Sequence, residues 1–150
     1  MDDNLKRQIL AIMDAHRIMT VATLRPDGWP QATTVGFAHE DLTLYFLCGT
    51  QSQKAKNLAG DARVSITIDH DEPQVMKIAG LSMAALANRI EDANEAERVM
   101  GLLIARYPEQ GQSPGELPPA NAVAIFKVTP IVISLLDYAK GFGHAELVRC

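Results

Sequence analysis

Thr50-Gln-Ser-Gln-Lys-Ala-Lys-Asn-Leu58 lies between two apolar runs, Leu42-Thr-Leu-Tyr-Phe-Leu-Cys48 and Ala62-Arg-Val-Ser-Ile-Thr-Ile68. The order predicts a strand, a polar turn, a short helix and a second strand. Ser52 is placed as the N-cap, its hydroxyl accepting from backbone N–H groups of the first turn. Lys54 and Lys56 then fall in that turn, where the helix dipole favours negative charge. Two readings fit these residues. One is a capped surface helix with solvated lysines. The other is an anion site, in which exposed N–H groups, a hydroxyl and a lysine converge on a phosphate. Lys56 follows Lys54 by two residues, roughly 200° around a helix, so only one of them can face such an anion.

Outward from this stretch the chain reads as a meander. Residues 3–16 form an amphipathic helix, with Leu5, Ile9, Ile12 and Met13 on one face and Asp2 or Asp3 as its cap. Ile18–Leu24 is a β-branched run and a strand. Arg25-Pro-Asp-Gly28 is a tight turn, after which 29–38 returns as a second strand, followed by a turn at His39–Asp41. After Ile68, the acidic segment 69–73 reads as a solvated turn, because four neighbouring ligands in a row suit one metal ion poorly. A strand is expected from Gln74 to about Ile90, then a helix over 91–106 that buries Ala93, Ala96, Val99, Met100 and Leu103. Pro108–Pro119 is a long loop. Ala122–Val128 and Ile131–Leu136 are two strands joined at Thr129-Pro130, and 137–144 has turn composition. The tally is six or seven strands, two long helices and one short one. Short connections favour an antiparallel sheet, which closes most economically as a small barrel. The fold class is therefore mainly β with α, as a single domain over residues 1–150.

The totals exclude several function classes. The chain has 150 residues, 47% apolar and 21% charged, with a net charge of -4. An acidic balance argues against nucleic acid as a partner. No run of about 18 apolar residues is present, so no membrane span is expected. Met1-Asp-Asp-Asn-Leu-Lys-Arg7 does not read as a signal peptide, and the cytoplasm is the expected location. Cys48 and Cys150 make neither a disulfide framework nor a metal spacing. Cys48 reads as a small buried residue and Cys150 as part of a frayed end.

Three ordered motifs resemble the pyridoxamine 5′-phosphate oxidase-like, FMN-binding split-barrel superfamily. Ser52-Gln-Lys-Ala-Lys-Asn-Leu58 with Asp61-Ala-Arg-Val-Ser65 is similar to its serine–basic–lysine phosphate motif and the strand after it. Val21-Ala-Thr-Leu24 with Asp27-Gly-Trp-Pro-Gln-Ala-Thr-Thr-Val35 resembles its opening hairpin. Gln74-Val-Met-Lys-Ile-Ala-Gly80 resembles the strand whose glutamine reaches the flavin. Together they cover roughly residues 8 to 137.

The resemblance implies a homodimer with two FMN sites at the subunit interface and a small-molecule substrate. Ser52, Gln53 and Lys54 would hold the phosphate, with backbone atoms of Leu47 and Cys48 beside it. The strand from Gln31, with Thr33 and Thr34 most exposed to the ring, would line the isoalloxazine. Gln74 would hydrogen-bond the ring or its ribityl chain. Three departures bear on activity. Gln53 replaces a usual basic residue, strand 31–36 lacks the true oxidase's arginine and lysine, and the C-terminal segment lacks its substrate arginine. Oxidation of pyridoxamine phosphate itself is therefore not expected.

The leading expectation is an FMN-dependent oxidoreductase in which the flavin carries the hydride. This agrees with the lack of a nucleophile–base pair, and no catalytic acid or base can be named. A non-catalytic flavin-binding or stress protein is the second expectation. The third changes the ligand to F420 or to haem. Of the four histidines, His144 in a Gly-rich tail is the best candidate axial ligand, although Lys140 and His144 read more simply as part of a free tail.

Overall fold

In the computed structural model, residues 1–109 and 118–150 are described. The expected loop Pro108–Pro119 lies mostly outside them. Helix α1 (Asp3–Ala15) begins at Asp2, whose carboxylate accepts from the N–H groups of Asn4 and Leu5 at 2.7 and 3.1 Å. Its apolar face enters the core through Ile9 and Met13, both fully buried. Strands β1 (Ile18–Leu24) and β2 (Pro30–Gly36) pair as a hairpin from Ile18↔Gly36 to Leu24↔Pro30. Its turn closes with the Gly28 N–H donating to the Arg25 carbonyl at 2.8 Å. Gly28 has a φ of 84°, the left-handed conformation that glycine adopts without a Cβ penalty.

Strand β3 (Ala38–Glu40) is short and turns at Asp41 into β4 (Thr43–Gly49). The expected strand over 29–38 is thus two strands, parted at Phe37. Helix α2 (Gln53–Gly60) follows, then β5 (Arg63–Ile68), β6 (Ala79–Arg89) and α3 (Ala93–Ala105). Strand β7 (Val123–Asp137) runs unbroken through Pro130, where two strands were expected. The reason lies in the register against β6. Ala84 faces Val132 while Ala85 faces Pro130, so a bulge at Ile131 absorbs the proline. A residue with no N–H is tolerated at such a bulge. The tail does not fray. It forms β8 (Ala145–Arg149), antiparallel to β7, with Val148 buried.

All eight strands belong to one antiparallel sheet in the order β2-β1-β5-β6-β7-β4-β3, with β8 added beside β7. The fold is mainly β with α, as the patterning implies. Alternation along the strands turns one face inward. That interior holds Val21, Phe37, Leu44, Phe46, Ile66, Val128 and Ile133, all fully buried, and stacks Phe46 on Phe126 with ring centroids 5.3 Å apart. A second cluster lies outside the wall, where α3 lays Val99 and Leu103 over Ala38, Tyr45 and Ile125. Strand β4 is therefore buried on both faces, which is why it reads as a continuous apolar run.

The sheet curls until its two ends approach. Between them the chain crosses directly from β2 to β3 through Phe37, whose N–H donates to the Arg17 carbonyl at 3.0 Å. The seam near this crossing is where the main cleft opens.

Candidate functional site

The cleft is bounded by Thr34, Val35 and Gly36 of β2 and by Leu47, Cys48 and Gly49 of β4, and has a volume of about 720 Å³. Ser52 and Lys54 at the start of α2 form its polar end. Met100, Leu103 and Ile104 of α3, with Tyr107 beyond it, form an apolar wall. The size is that of an ordinary cofactor or ligand site.

Local geometry at the polar end follows the sequence closely. The Ser52 hydroxyl accepts from the Ala55 N–H at 3.2 Å and donates to the Gly49 carbonyl at 2.7 Å. Its proton is therefore committed, and the cap organises the turn. The N–H groups of Gln53 and Lys54 have no intrahelical acceptor at this position. No acidic residue stands in the first turn of α2. Lys54 is half-buried, and among the described residues no carboxylate pairs with it. Burial lowers the pKa of its ammonium below the usual 10.5, with Cys48 acting in the other direction. A desolvated cation without a counter-charge is a costly arrangement, and an anion in the cleft would relieve it. Lys56 does point elsewhere. It lines a separate groove of about 500 Å³ with Asn88, Arg89 and Glu91.

The other residues named from the sequence divide. Thr34 reaches the cleft, but its neighbour Thr33 does not line it. Successive strand residues face opposite sides, and Thr33 pairs with buried Val21 while Thr34 pairs with Thr20. Thr33 Oγ1 is buried without a hydrogen-bond partner. Gln31 and Gln53 also turn away from the cleft. Gln53 Nε2 donates to Asn57 Oδ1 at 2.9 Å, and Asn57 Nδ2 donates to Gln31 Oε1 at 3.1 Å and to Thr23 Oγ1 at 2.9 Å. Gln74 precedes a 3₁₀ turn (Val75–Lys77) rather than starting a strand, and it is exposed. It stands near the start of β6, which pairs with the end of β7 (Ala79↔Asp137). The cleft meets β7 at its other end, Val123.

Several lining residues escaped the sequence reading. Tyr107 packs against Gly36, where an added Cβ would lie 2.6 Å from the tyrosine hydroxyl. That hydroxyl donates to the Arg17 carbonyl, and burial raises its pKa. Arg106 donates to the Met13 and His16 carbonyls at the end of α1. Through these contacts the end of α3 is held over the cleft. The one available signal was the glycine at position 36, which allows a close approach without naming the visitor.

A sheet curled into a barrel, parted at one seam and carrying a cationic helix start there, defines a split-barrel protein. A family model described as pyridoxamine 5′-phosphate oxidase matches residues 5–136, and the chain belongs to that family. Among curated proteins, it is 26% identical to General stress protein 26 of Bacillus subtilis (strain 168) over 68 residues, 45% of this chain and 48% of that protein. The match thus spans about half the length of that relative. A solved structure from Listeria innocua, provisionally named a pyridoxamine 5′-phosphate oxidase, superimposes with a TM-score of 0.71 at 25% identity, covering 89% of this chain and 98% of that one. HutZ, described as the heme storage protein of Vibrio cholerae, shares the fold with a TM-score of 0.69 at 22% identity, covering 84% and 89% of the two chains.

Proposed function

We propose that this chain is an FMN-binding flavoprotein, a cytoplasmic homodimeric oxidoreductase that acts on a small molecule. The observation that carries the reading is Lys54, a partly buried cation with no carboxylate partner among the described residues, at a helix start that opens into the cleft. FMN suits this donor set, since its phosphate would take the charge and the free N–H groups and its ring would lie along the apolar wall. When bound, the flavin supplies hydride transfer. This chain's residues bind it, orient it and exclude water. Two free cysteines, Cys48 and Cys150, agree with a reducing compartment.

The homodimer is supported by two features. Val75, Met76 and Phe142 are exposed apolar residues, 50–76% accessible, in segments joined where the Tyr138 N–H donates to the Ile78 carbonyl. Gln74 adjoins this patch and does not line the cleft of its own chain. In the dimer it would serve the cleft of the second copy.

Haem is the runner-up, because a neighbour in fold is described as a heme storage protein. Against it, no histidine among the described residues lines the cleft. His144 lies beside β8, its N–H donating to the Gly141 carbonyl. The experiment is an FMN titration of the apo protein, read by quenching of flavin fluorescence, with a visible spectrum of the protein as purified. Saturable binding with a flavin spectrum is expected. A Soret band together with no FMN binding would refute the proposal. Oxidation of NADH or NADPH by the FMN complex then separates an oxidoreductase from a non-catalytic carrier.

A further inference from the structure

We infer that Asn57 is the positioning residue of the anion-binding helix start: it clamps the first turn of α2 to the β1–β2 hairpin, so that Lys54 and the free N–H groups face the cleft. The inference rests on the reading that Lys54 meets an anion there.

Asn57 is 1% exposed, and so is Thr23, making them the two buried polar residues of the described core. A buried amide is costly unless its hydrogen-bonding groups are matched. Here both amide protons and the carbonyl oxygen are used. Nδ2 donates to Thr23 Oγ1 on β1 and to Gln31 Oε1 on β2, while Oδ1 accepts from Gln53 Nε2 one turn earlier on α2. One side chain thus ties two strands of the hairpin to the first residue of the helix. Fully matched buried polar networks fix one arrangement, because any displacement leaves an unpaired group.

The neighbouring positions show what this arrangement secures. Gln53 and Asn57 are i and i+4 on one face of α2, and Lys54 is rotated roughly 100° from Gln53, toward the cleft. The network also accounts for Gln53, which stands where the family resemblance implies a base. Its amide latches the helix rather than touching a phosphate. Strand β2 carries both Gln31, in the network, and Thr34, in the cleft, so the same clamp sets the spacing between Thr34 and the polar end at Ser52 and Lys54.

The test uses Asn57→Ala and Gln53→Met with two readouts. One is FMN affinity by fluorescence quenching. The other, which needs no ligand, is the pH titration of the Lys54 Cε resonance in protein with ¹³C-labelled lysine, assigned with Lys54→Met. Loss of one neutral hydrogen bond should weaken FMN roughly fivefold in Gln53→Met, and more in Asn57→Ala, which loses three. In both variants the Lys54 resonance should titrate nearer to the solvated lysines. A merely structural role would lower the melting temperature and leave that titration in place. Folded variants with an unchanged Lys54 titration overturn the inference, whatever the wild type binds. If the wild type binds no FMN and the titration still moves, the positioning role stands and the FMN reading falls. Should Asn57→Ala not fold, Gln53→Met decides, since that side chain is exposed.

Discussion

Replacing Lys54 by methionine tests the cleft most directly. The substitution keeps the length and the apolar stem of the side chain and removes only the ammonium. In the apo protein that ammonium is desolvated and unpaired among the described residues, so folding gains nothing from its charge. Stability should therefore hold or rise slightly. Binding should behave in the opposite way. A hydrogen bond to a charged group contributes about 1.5–3 kcal/mol. Lys54 is only partly withdrawn from solvent, and screening moves the figure toward the lower end. A loss of about 1.5–2 kcal/mol corresponds to a Kd raised roughly 10- to 30-fold, at about 1.4 kcal/mol per tenfold. The assay is FMN fluorescence quenching at two salt concentrations, because a charge contact weakens with ionic strength. The variant should show both the weaker affinity and a flatter salt dependence, while Lys56→Met, in the other groove, should show neither. Equal affinity for Lys54→Met and wild type would refute the phosphate assignment, and a matching loss in Lys56→Met would refute the assignment of the two lysines to different faces.

Other outcomes follow from the same structure. Lys54 should give the protein a particular pH profile. Its native pKa is lowered, so between that value and the ordinary 10.5 the unfolded chain holds more protons. Stability of the apo protein should rise with pH across that alkaline window, and FMN affinity should fall there as the ammonium is lost. Urea denaturation and FMN titration at stepped pH measure both, with Lys54→Met flat in comparison. Gly36→Ala places a Cβ 2.6 Å from the Tyr107 hydroxyl and should destabilise by about 1–3 kcal/mol as overpacking does. Tyr107→Phe in the same chain should recover part of the loss in a thermal-melt double-mutant cycle. Phe46→Ala, at the centre of the barrel interior, should cost about 3–5 kcal/mol in chemical denaturation, with FMN affinity changed only through loss of folded protein.

Local chemistry made much of the fold legible. Asp2 and Ser52 cap helices because their side-chain oxygens meet nearby N–H groups, a contact within three residues. The hairpin at Arg25–Gly28 closes for the same kind of reason. Burial of Ile9 and Met13 follows from helical spacing, whereas the parting of 29–38 into two strands at Phe37 was not legible, because it depends on where the curled sheet's ends meet. Pro130 misled, because the bulge at Ile131 that accommodates it shows only in the register of β7 against β6. The tail misled likewise, since 145–149 becomes a strand only where β7 offers a free edge. Thr33 and Thr34 looked equivalent in composition and were separated by the pleat.

For the site, the sequence by itself determined the cap at Ser52, the cations after it and the face that Lys54 takes, since helix periodicity fixes the angle between neighbours. It could also place Lys56 on a different side for the same reason. Tertiary structure alone decided what shares that face: a seam that sets β2 beside β4 where the curled sheet's ends approach, and a wall from α3 held there by Tyr107 and Arg106. It also decided that Gln31 and Gln53 serve Asn57 rather than the cleft. A side chain's choice of partner depends on which groups folding brings within hydrogen-bond reach, and residues 23, 31 and 57 meet only once the hairpin and α2 have packed.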